Sequence, residues 1–268
     1  MIKDIFKDTS KKAFIPYIMA GSLSLAITED IVLMLEDCGA DIIELGVPFT
    51  DPLADGPTIA RAAEAAILNG VTLKKVMEMV LRLRNKTKVP IALMTYLNPV
   101  YKYGMDRFSL DAVSCGVNGV IIPDLPADME IEFINDAHKN GLDTIFLIAP
   151  TSTLERIKLS AKKTTGFLYY VSVTGITGSN INIDTHMTDM IAKIRSISKL
   201  PISVGFGVKT PEQARKAAQL ADGVIIGSSI VSMINDKTFD INNLKKYLIS
   251  LRKAIKIDTE YVTHSKNP

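Results

Sequence analysis

Cysteine and histidine, on which most disulfide and metal sites are built, are scarce in this chain. Its 268 residues contain two cysteines, Cys38 and Cys115, which stand far apart in helix-like stretches and form no CxxC pair. This spacing argues against a disulfide framework and favours a reducing compartment such as the cytoplasm. His138, His186 and His264 are equally dispersed, with no carboxylate at ligand spacing, so we expect no metal site.

An excess of charge of either sign is also missing. Lys and Arg number 31 against 29 for Asp and Glu, and the basic residues are scattered rather than striped, so nucleic acid is not an expected partner. The N-terminal residues 1–12 have neither the apolar core of a signal peptide nor that of a membrane span. We therefore expect a cytoplasmic protein.

What the chain does contain is a series of eight short apolar runs separated by segments of helical periodicity. Each run is nearly continuous in Val, Ile, Leu, Phe or Tyr, as is typical of parallel strands covered on both faces. Eight strands alternating with helices predict an α/β fold, a single (β/α)8 TIM barrel with extra helices, although an open doubly wound sheet shares the same alternation. The runs are residues 14–19, 41–46, 91–96, 119–124, 144–149, 167–172, 201–206 and 223–228.

Capping residues mark several helix starts. Thr28 is suited to cap the helix after the first run, and Ser152 with Glu155 has the spacing of a capping box. Thr210-Pro211-Glu212-Gln213 combines an N-cap, a proline at the first helical position and a glutamine at the third. These signals predict where the connecting helices begin.

One barrel domain is expected over residues 1–257, because no linker-like tract divides it. Residues 258–268 are polar and aperiodic, and we expect them to be a disordered tail. The longest interval follows the second run and holds PFTDPLADGP before two helical periods, 58–69 and 73–85. An extended loop after a barrel strand lies on the face where active sites are built.

Glu44 interrupts the second apolar run with a charge. Considered alone, it is best explained as a strand-end carboxylate bound to a neighbouring group, because a desolvated carboxylate is costly. The loop that follows adds Asp51 and Asp55, each of which also suits an Asx turn. A carboxylate next to this proline-rich loop is nevertheless a candidate acid or base.

Two glycine clusters follow the seventh and eighth runs. Gly205-Phe206-Gly207 and Gly227-Ser228-Ser229 would let backbone N–H groups approach an anion closely. Many (β/α)8 enzymes hold a phosphate at this position, which favours a phosphate site over two tight turns. Residues 172–179 follow the sixth run, which lies between the Glu44 strand and these two strands in the order of the barrel. They are mostly small, as is typical of a mobile lid and also of an ordinary surface loop.

These segments resemble the tryptophan synthase α subunit family. The resemblance is carried by ELGVPFTDPLADGPTIARA at 44–62 and continues through PYIMAG, LMTYLNPVYKYG, GVIIPDLP, YYVSVTGITG, SVGFGVKTPEQ and ADGVIIGSSIV. It covers roughly residues 2–255. The resemblance implies a lyase of tryptophan biosynthesis that cleaves indole-3-glycerol phosphate to indole and glyceraldehyde 3-phosphate.

The resemblance also implies catalytic roles. Glu44 would protonate indole C3 and then remove the side-chain hydroxyl proton, which requires a pKa raised toward neutrality. Asp55 would accept the indole N–H bond, whereas Asp51 is structural. Thr177 matches the lid residue that closes onto Asp55, and Tyr169 matches the aromatic residue beside Glu44.

A phosphate cradle and an indole pocket follow from the same resemblance. The phosphate would rest on the backbone of Gly178, Gly207, Gly227 and Ser228, supported by Gly205 and Phe206. The apolar pocket around the indole would be formed by Tyr17, Tyr96, Ile121 and Leu147.

A β subunit that carries pyridoxal phosphate is the implied partner, in an α2β2 heterotetramer, and this chain is expected to bind no cofactor. No strand run has an internal lysine suited to a Schiff base, which disfavours a lysine aldolase; the nearest lysine, Lys209, is expected to be exposed. The sequence departs from the family pattern at Gly21-Ser22-Leu23, at Ala60 and at 179–182, where an arginine is often found. These departures concern lid closure and communication with the partner.

Two other functions are compatible with part of these patterns. A different phosphate-binding barrel, such as a sugar-phosphate isomerase, would explain the glycines but not the spacing of Glu44 and Asp55. A non-catalytic regulatory subunit is disfavoured because both carboxylates are present.

Overall fold

The computed structural model describes residues 1–129, 131–171, 185–205 and 207–256, with side chains in the helix after residue 184 described from Met187 onward. The expected lid at 172–179 and the expected tail at 258–268 therefore lie outside the described residues. Within the described part of the chain, no helix is long and apolar enough to cross a membrane.

All strands of the sheet are parallel, and each predicted apolar run forms one of them. The fifth run is interrupted at Phe146, so it supplies two short strands. The strands are β1 (Ala13–Met19), β2 (Ile43–Gly46), β3 (Ile91–Met94), β4 (Gly119–Ile121), β5 (Asp143–Ile145), β6 (Leu147–Ile148), β7 (Leu168–Val171), β8 (Ile202–Gly205) and β9 (Gly223–Ile226), in the order β5-β4-β3-β2-β1-β9-β8-β7-β6.

The pairing registers close this sheet into a barrel. Paired residues can be traced around the barrel in both directions from β1 to the fifth run. One direction leads from Ala13 through β9, β8 and β7 to Leu147, and the other leads from Tyr17 through β2, β3 and β4 to Asp143. The two starting residues are four apart on β1, and the two end residues are four apart on the fifth run. Together the offsets give the shear of eight that characterises a TIM barrel. The predicted closed (β/α)8 barrel is confirmed, and the open sheet is excluded.

At least one helix follows each of the eight apolar runs, and the helices cover the outside of the barrel. Three of them, α2, α4 and α10, are additional to one helix per run, which confirms the predicted extra helices. The described helices are α1 (Leu25–Asp37), α2 (Pro57–Leu68), α3 (Leu73–Leu83), α4 (Leu97–Tyr103), α5 (Met105–Ser114), α6 (Ile131–Asn140), α7 (Leu154–Lys163), α8 (Thr185–Ile197), α9 (Pro211–Leu220), α10 (Ser228–Ile234) and α11 (Ile241–Ile255).

The predicted cap of α9 is confirmed, and that of α1 is wrong. Thr210 Oγ1 accepts a hydrogen bond from Gln213 N at 3.2 Å, and Gln213 Oε1 accepts one from Thr210 N at 3.3 Å. At α1 the cap is Ser24, whose hydroxyl accepts from Ile27 N at 3.1 Å. Thr28 lies one turn inside the helix, where its hydroxyl donates to the Ser24 carbonyl at 2.8 Å. The helix begins earlier because Ser24 satisfies the first free N–H groups.

The predicted cap of α7 is displaced by one residue. Thr153, not Ser152, accepts the hydrogen bond from Arg156 N, at 3.2 Å. The Ser152 hydroxyl instead accepts one from Ala149 N at 3.0 Å. Ser152 therefore stabilises the turn after β6 rather than the helix.

A short N-terminal 3₁₀-helix, η1 (Ile2–Phe6), fills the base of the barrel, at the N-terminal ends of the strands. Ile2 is fully buried among inward-facing strand residues, and its backbone N–H donates to buried Asp143 Oδ2 at 2.7 Å. The Phe6 ring packs at 5.8 Å from the Phe167 ring. Apolar packing therefore excludes water from the barrel interior at this end.

We expect Ile2→Ala to destabilise the protein by about 2–4 kcal/mol, because it removes a fully buried side chain that the surrounding strands are too rigid to replace. Urea unfolding measures this difference. Ile249→Ala, at an exposed position of α11, is the control and should change stability by less than about 0.5 kcal/mol. Equal effects of the two substitutions would show that η1 is not part of the barrel core.

Candidate active site

Glu44 lies on β2 with its carboxyl group inside the barrel. Its neighbours across the sheet are Tyr17 on β1 and Ala92 on β3, and only 1% of its surface is exposed. Neither carboxyl oxygen has a hydrogen-bond partner among the described residues. The sequence-based alternative, a strand-end charge bound to a neighbouring group, is therefore wrong for this part of the chain. A buried polar group without a partner is costly and is typical of a site completed by a ligand.

Burial changes the acidity of this group. It raises the pKa of Glu44 from 4.5 to about 8, and the negative charge of Asp55 contributes in the same direction. Glu44 is therefore largely protonated at neutral pH and is able to donate a proton.

Asp55 lies in the loop after β2, half-buried and close enough to Glu44 to affect its pKa. Burial raises the pKa of Asp55 from 3.8 to about 6, and the Tyr96 hydroxyl opposes part of that rise. Most Asp55 side chains are therefore ionised at neutral pH. The site holds one protonated and one ionised carboxyl group.

The Asp55 loop is fixed to the barrel through Tyr96, which follows β3. Ala54 N donates a hydrogen bond to the Tyr96 hydroxyl at 3.0 Å, and the Tyr96 ring lies 5.3 Å from the ring of Phe49. Phe49 was not singled out from the sequence, although it is the one aromatic residue in the loop motif PFTDPLADGP. Packing of this ring orients the loop that carries Asp55.

Two buried tyrosines flank the carboxyl groups. A side chain on Gly46 would overlap the Tyr17 hydroxyl, and a methyl group on Gly205 would lie 2.7 Å from the Tyr169 hydroxyl. Each tyrosine thus packs its hydroxyl against a glycine backbone. Burial, together with the nearby carboxylates, raises the pKa of both tyrosines well above its usual value, so their hydroxyls remain protonated.

The remaining predicted pocket residues also face the interior. Ile121 ends β4 and is fully buried, and Leu147 on β6 pairs with Tyr169 on β7. Both contribute to the cluster of apolar side chains that fills the barrel. Tyr96 lies close enough to Tyr17 to contribute to the raised pKa of Tyr17. Ile121 and Leu147 thus lie among the apolar side chains of the barrel interior, and Tyr17 and Tyr96 lie near the two carboxyl groups.

The glycine clusters leave the sheet side by side, because Gly205 on β8 pairs with Ile225 on β9. Gly207 has a φ of 64°, which favours glycine, and no described atom lies within 4 Å of where its Cβ would be. Gly227 packs against Tyr17, since a Cβ at that residue would lie 3.2 Å from the tyrosine Cβ. Gly227 in the second cluster therefore lies beside Tyr17, which is close enough to Glu44 and Asp55 for their charges to raise its pKa.

Three predicted site residues, Thr177, Gly178 and Phe206, lie outside the described residues. Lys209 is exposed, as expected, and is therefore no desolvated Schiff-base lysine. Among the residues that the structure describes, no group of three or more His, Cys, Asp or Glu side chains has the arrangement of a metal site.

Known proteins share this sequence and this fold. The model of the family described as tryptophan synthase alpha chain matches residues 4–259. The tryptophan synthase alpha chain of Geobacter sulfurreducens is 47% identical over 251 residues, which cover 93% of this chain and 95% of the relative. That of Petrotoga mobilis is 40% identical over 256 residues, covering 96% and 98%.

Solved structures agree with these relatives. The α subunit of tryptophan synthase from Legionella pneumophila superimposes with a TM-score of 0.87 and 36% identity, covering 95% of this chain and 96% of that one. A chain of the tryptophan synthase complex from Pyrococcus furiosus gives 0.83 and 36%, covering 90% and 98%. The sequence match over nearly the whole length and the shared barrel lead to one conclusion: this chain belongs to the tryptophan synthase α chain family.

Proposed function

We propose that Glu44 carries out both proton transfers in the reaction of this lyase, the cleavage of indole-3-glycerol phosphate to indole and glyceraldehyde 3-phosphate in tryptophan biosynthesis. The observation that supports this role most strongly is a buried carboxyl group near Asp55, with a pKa of about 8 and no hydrogen-bond partner in the described part of the chain. General acid–base catalysis is most effective when the catalytic pKa lies near the working pH.

In the first step, protonated Glu44 donates its proton to C3 of the indole ring. The ring becomes a positively charged indolenine, and its N–H hydrogen-bonds to the Asp55 carboxylate. An ionised Asp55, with a pKa of about 6, stabilises this cation through its opposite charge. The site's two carboxyl groups therefore take different roles because their protonation states differ.

In the second step, ionised Glu44 removes the proton of the hydroxyl group on the carbon attached to C3. The electron pair of that O–H bond forms the aldehyde carbonyl, the C–C bond breaks, and its electrons return to the ring to give neutral indole. Glu44 is reprotonated by the hydroxyl proton, while the proton that it donated in the first step remains on C3 of the indole. The cycle needs no external acid or base.

The remaining predicted residues would hold the substrate in place. We propose that Tyr17, Tyr96, Ile121 and Leu147 contact the indole ring and that Tyr169 orients Glu44. The backbone of Gly178, Gly207, Gly227 and Ser228 would bind the phosphate with Gly205 and Phe206 in support, and Thr177 would close onto Asp55. Among the described residues, no atom outside the chain neighbours of Gly207 lies within 4 Å of where its Cβ would be, which supports the phosphate assignment.

A β subunit is the partner that fits this family, and the Pyrococcus furiosus relative is itself part of a tryptophan synthase complex. Membership of the α chain family is consistent with a chain that binds no cofactor of its own. We propose an α2β2 heterotetramer in which the β subunit carries pyridoxal phosphate.

Replacing Glu44 by Gln should lower the rate of indole release by about 10³-fold or more, because the amide neither donates nor accepts the transferred proton. Binding of glycerol 3-phosphate should stay within about twofold of the wild type, since the phosphate contacts are unchanged. Asp51→Asn is the matched control, because it makes the same chemical change in the exposed part of the neighbouring loop. Full activity of Glu44→Gln, or an equal loss in Asp51→Asn, would overturn the assignment.

Stability should depend on pH through the same carboxyl group. Between pH 4.5 and about 8 folded Glu44 keeps a proton that the unfolded chain has lost, so the free energy of unfolding falls as pH rises through this window. Glu44→Gln removes this dependence, and we expect it to exceed the wild type in stability by on the order of a few kcal/mol at pH 8.5. Urea unfolding at pH 5 and 8.5 measures the difference; parallel pH dependence of the two proteins would contradict a raised pKa.

Mixing the purified chain with the tryptophan synthase β chain of the same source should give a 2:2 complex by light scattering and should accelerate indole release. Heat-denatured β chain is the control. Separate elution of the two native chains would refute the proposed assembly without affecting the assignment of Glu44.

A further inference from the structure

Two backbone segments follow neighbouring strands, 207–209 after β8 and 227–229 after β9. β8 and β9 are paired up to Gly205 and Ile225, and beyond these residues the chain leaves the sheet. The proposed phosphate contacts of Gly207, Gly227 and Ser228 all belong to these segments. Their separation therefore depends on contacts outside the sheet.

A chain of two hydroxyl groups connects the segments to each other. Ser229 Oγ donates a hydrogen bond to the Val208 carbonyl at 2.9 Å, and the Tyr247 hydroxyl donates to Ser229 Oγ at 2.9 Å. The direction is fixed, because a carbonyl only accepts and Ser229 has one proton to give. The Lys209 carbonyl, 3.1 Å from the Tyr247 hydroxyl, is a second acceptor on the same segment.

Tyr247 is attached to a firmly held helix. It lies on α11, packed against the core, and burial raises the pKa of its hydroxyl, which therefore stays protonated. Five residues further on, Arg252 donates to the Lys12 carbonyl at 3.0 Å and forms an ion pair with Asp41 at 2.9 Å. Anchorage to the start of β1 and to the residues before β2 gives Tyr247 a fixed position relative to the barrel.

We propose that Tyr247 and Ser229 are positioning residues that set the separation of segments 207–209 and 227–229 and thereby the affinity for the phosphate end of the substrate. This inference rests on the proposed phosphate site. Neither side chain needs to touch the ligand, because preorganised backbone donors bind better than donors that must be ordered on binding. Glu44, which carries out the chemistry, lies on a strand that these contacts do not reach.

The test compares Tyr247→Phe, Ser229→Ala and the double variant with the wild type. Loss of one such hydrogen bond should weaken glycerol 3-phosphate binding by about 3–10-fold and raise KM for indole-3-glycerol phosphate similarly, with kcat within about twofold. Binding of indole, which has no phosphate, should be unchanged. The double variant should bind more weakly than Ser229→Ala, because in Ser229→Ala the Tyr247 hydroxyl still reaches the Lys209 carbonyl.

Tyr103→Phe is the matched control. It removes another tyrosine hydroxyl, which donates to Asp111 Oδ2 at 2.6 Å between α4 and α5 and contacts neither segment. Unchanged glycerol 3-phosphate affinity in Tyr247→Phe and Ser229→Ala would overturn the inference, as would weakening shared equally by indole or by Tyr103→Phe.

Calorimetric binding also separates this inference from the proposed reaction. A wild type that binds glycerol 3-phosphate without cleaving the substrate refutes the reaction, while the affinity ratios still decide the role of Tyr247. A wild type that cleaves the substrate but does not bind glycerol 3-phosphate refutes the positioning role and leaves the reaction standing.

Discussion

Desolvation of one carboxyl group governs the architecture around this site. Glu44 has no partner among the described residues, so the barrel must exclude water from it without providing a counter-charge. Apolar packing of Ile2 closes the base, and Tyr17 and Tyr169 occupy the flanks. Asp55 approaches from the loop above and adds negative charge. Each of these features favours the neutral form of Glu44, which is the form able to donate a proton.

The strands of the barrel and side chains outside the sheet position different parts of the site. Closed strand registers fix the carboxyl group and the aromatic walls, whereas the loops at the C-terminal ends are held by side-chain hydrogen bonds from outside the sheet. Tyr96 holds the Asp55 loop, and Tyr247 on α11 reaches segments 207–209 and 227–229. Rigid strands thus position the buried carboxyl group, and side-chain hydrogen bonds hold the loops around it.

Much of this arrangement was predictable from sequence because it depends on local patterns. Apolar runs identified the strands, and Thr210 marked the start of α9. Other features depend on geometry between distant residues. The break of the fifth strand at Phe146, the choice of Ser24 over Thr28 as a cap, and the hydrogen bond from Tyr247 to Ser229 follow from three-dimensional packing. Likewise, the sequence does not show that Glu44 lacks a hydrogen-bond partner among the described residues, because that depends on which side chains surround it in the barrel.

The contacts between tyrosine hydroxyls and glycine backbones have an evolutionary consequence. Any residue larger than glycine at 46 collides with the ring at 17, and the same holds for 205 and 169. Replacing the tyrosine by a smaller residue leaves a void, and replacing the glycine by a larger one creates a clash, so the free-energy effects of the two substitutions are not additive. Substitutions at 17 and 46 are therefore coupled, as are those at 169 and 205, and we expect each pair to evolve as one unit.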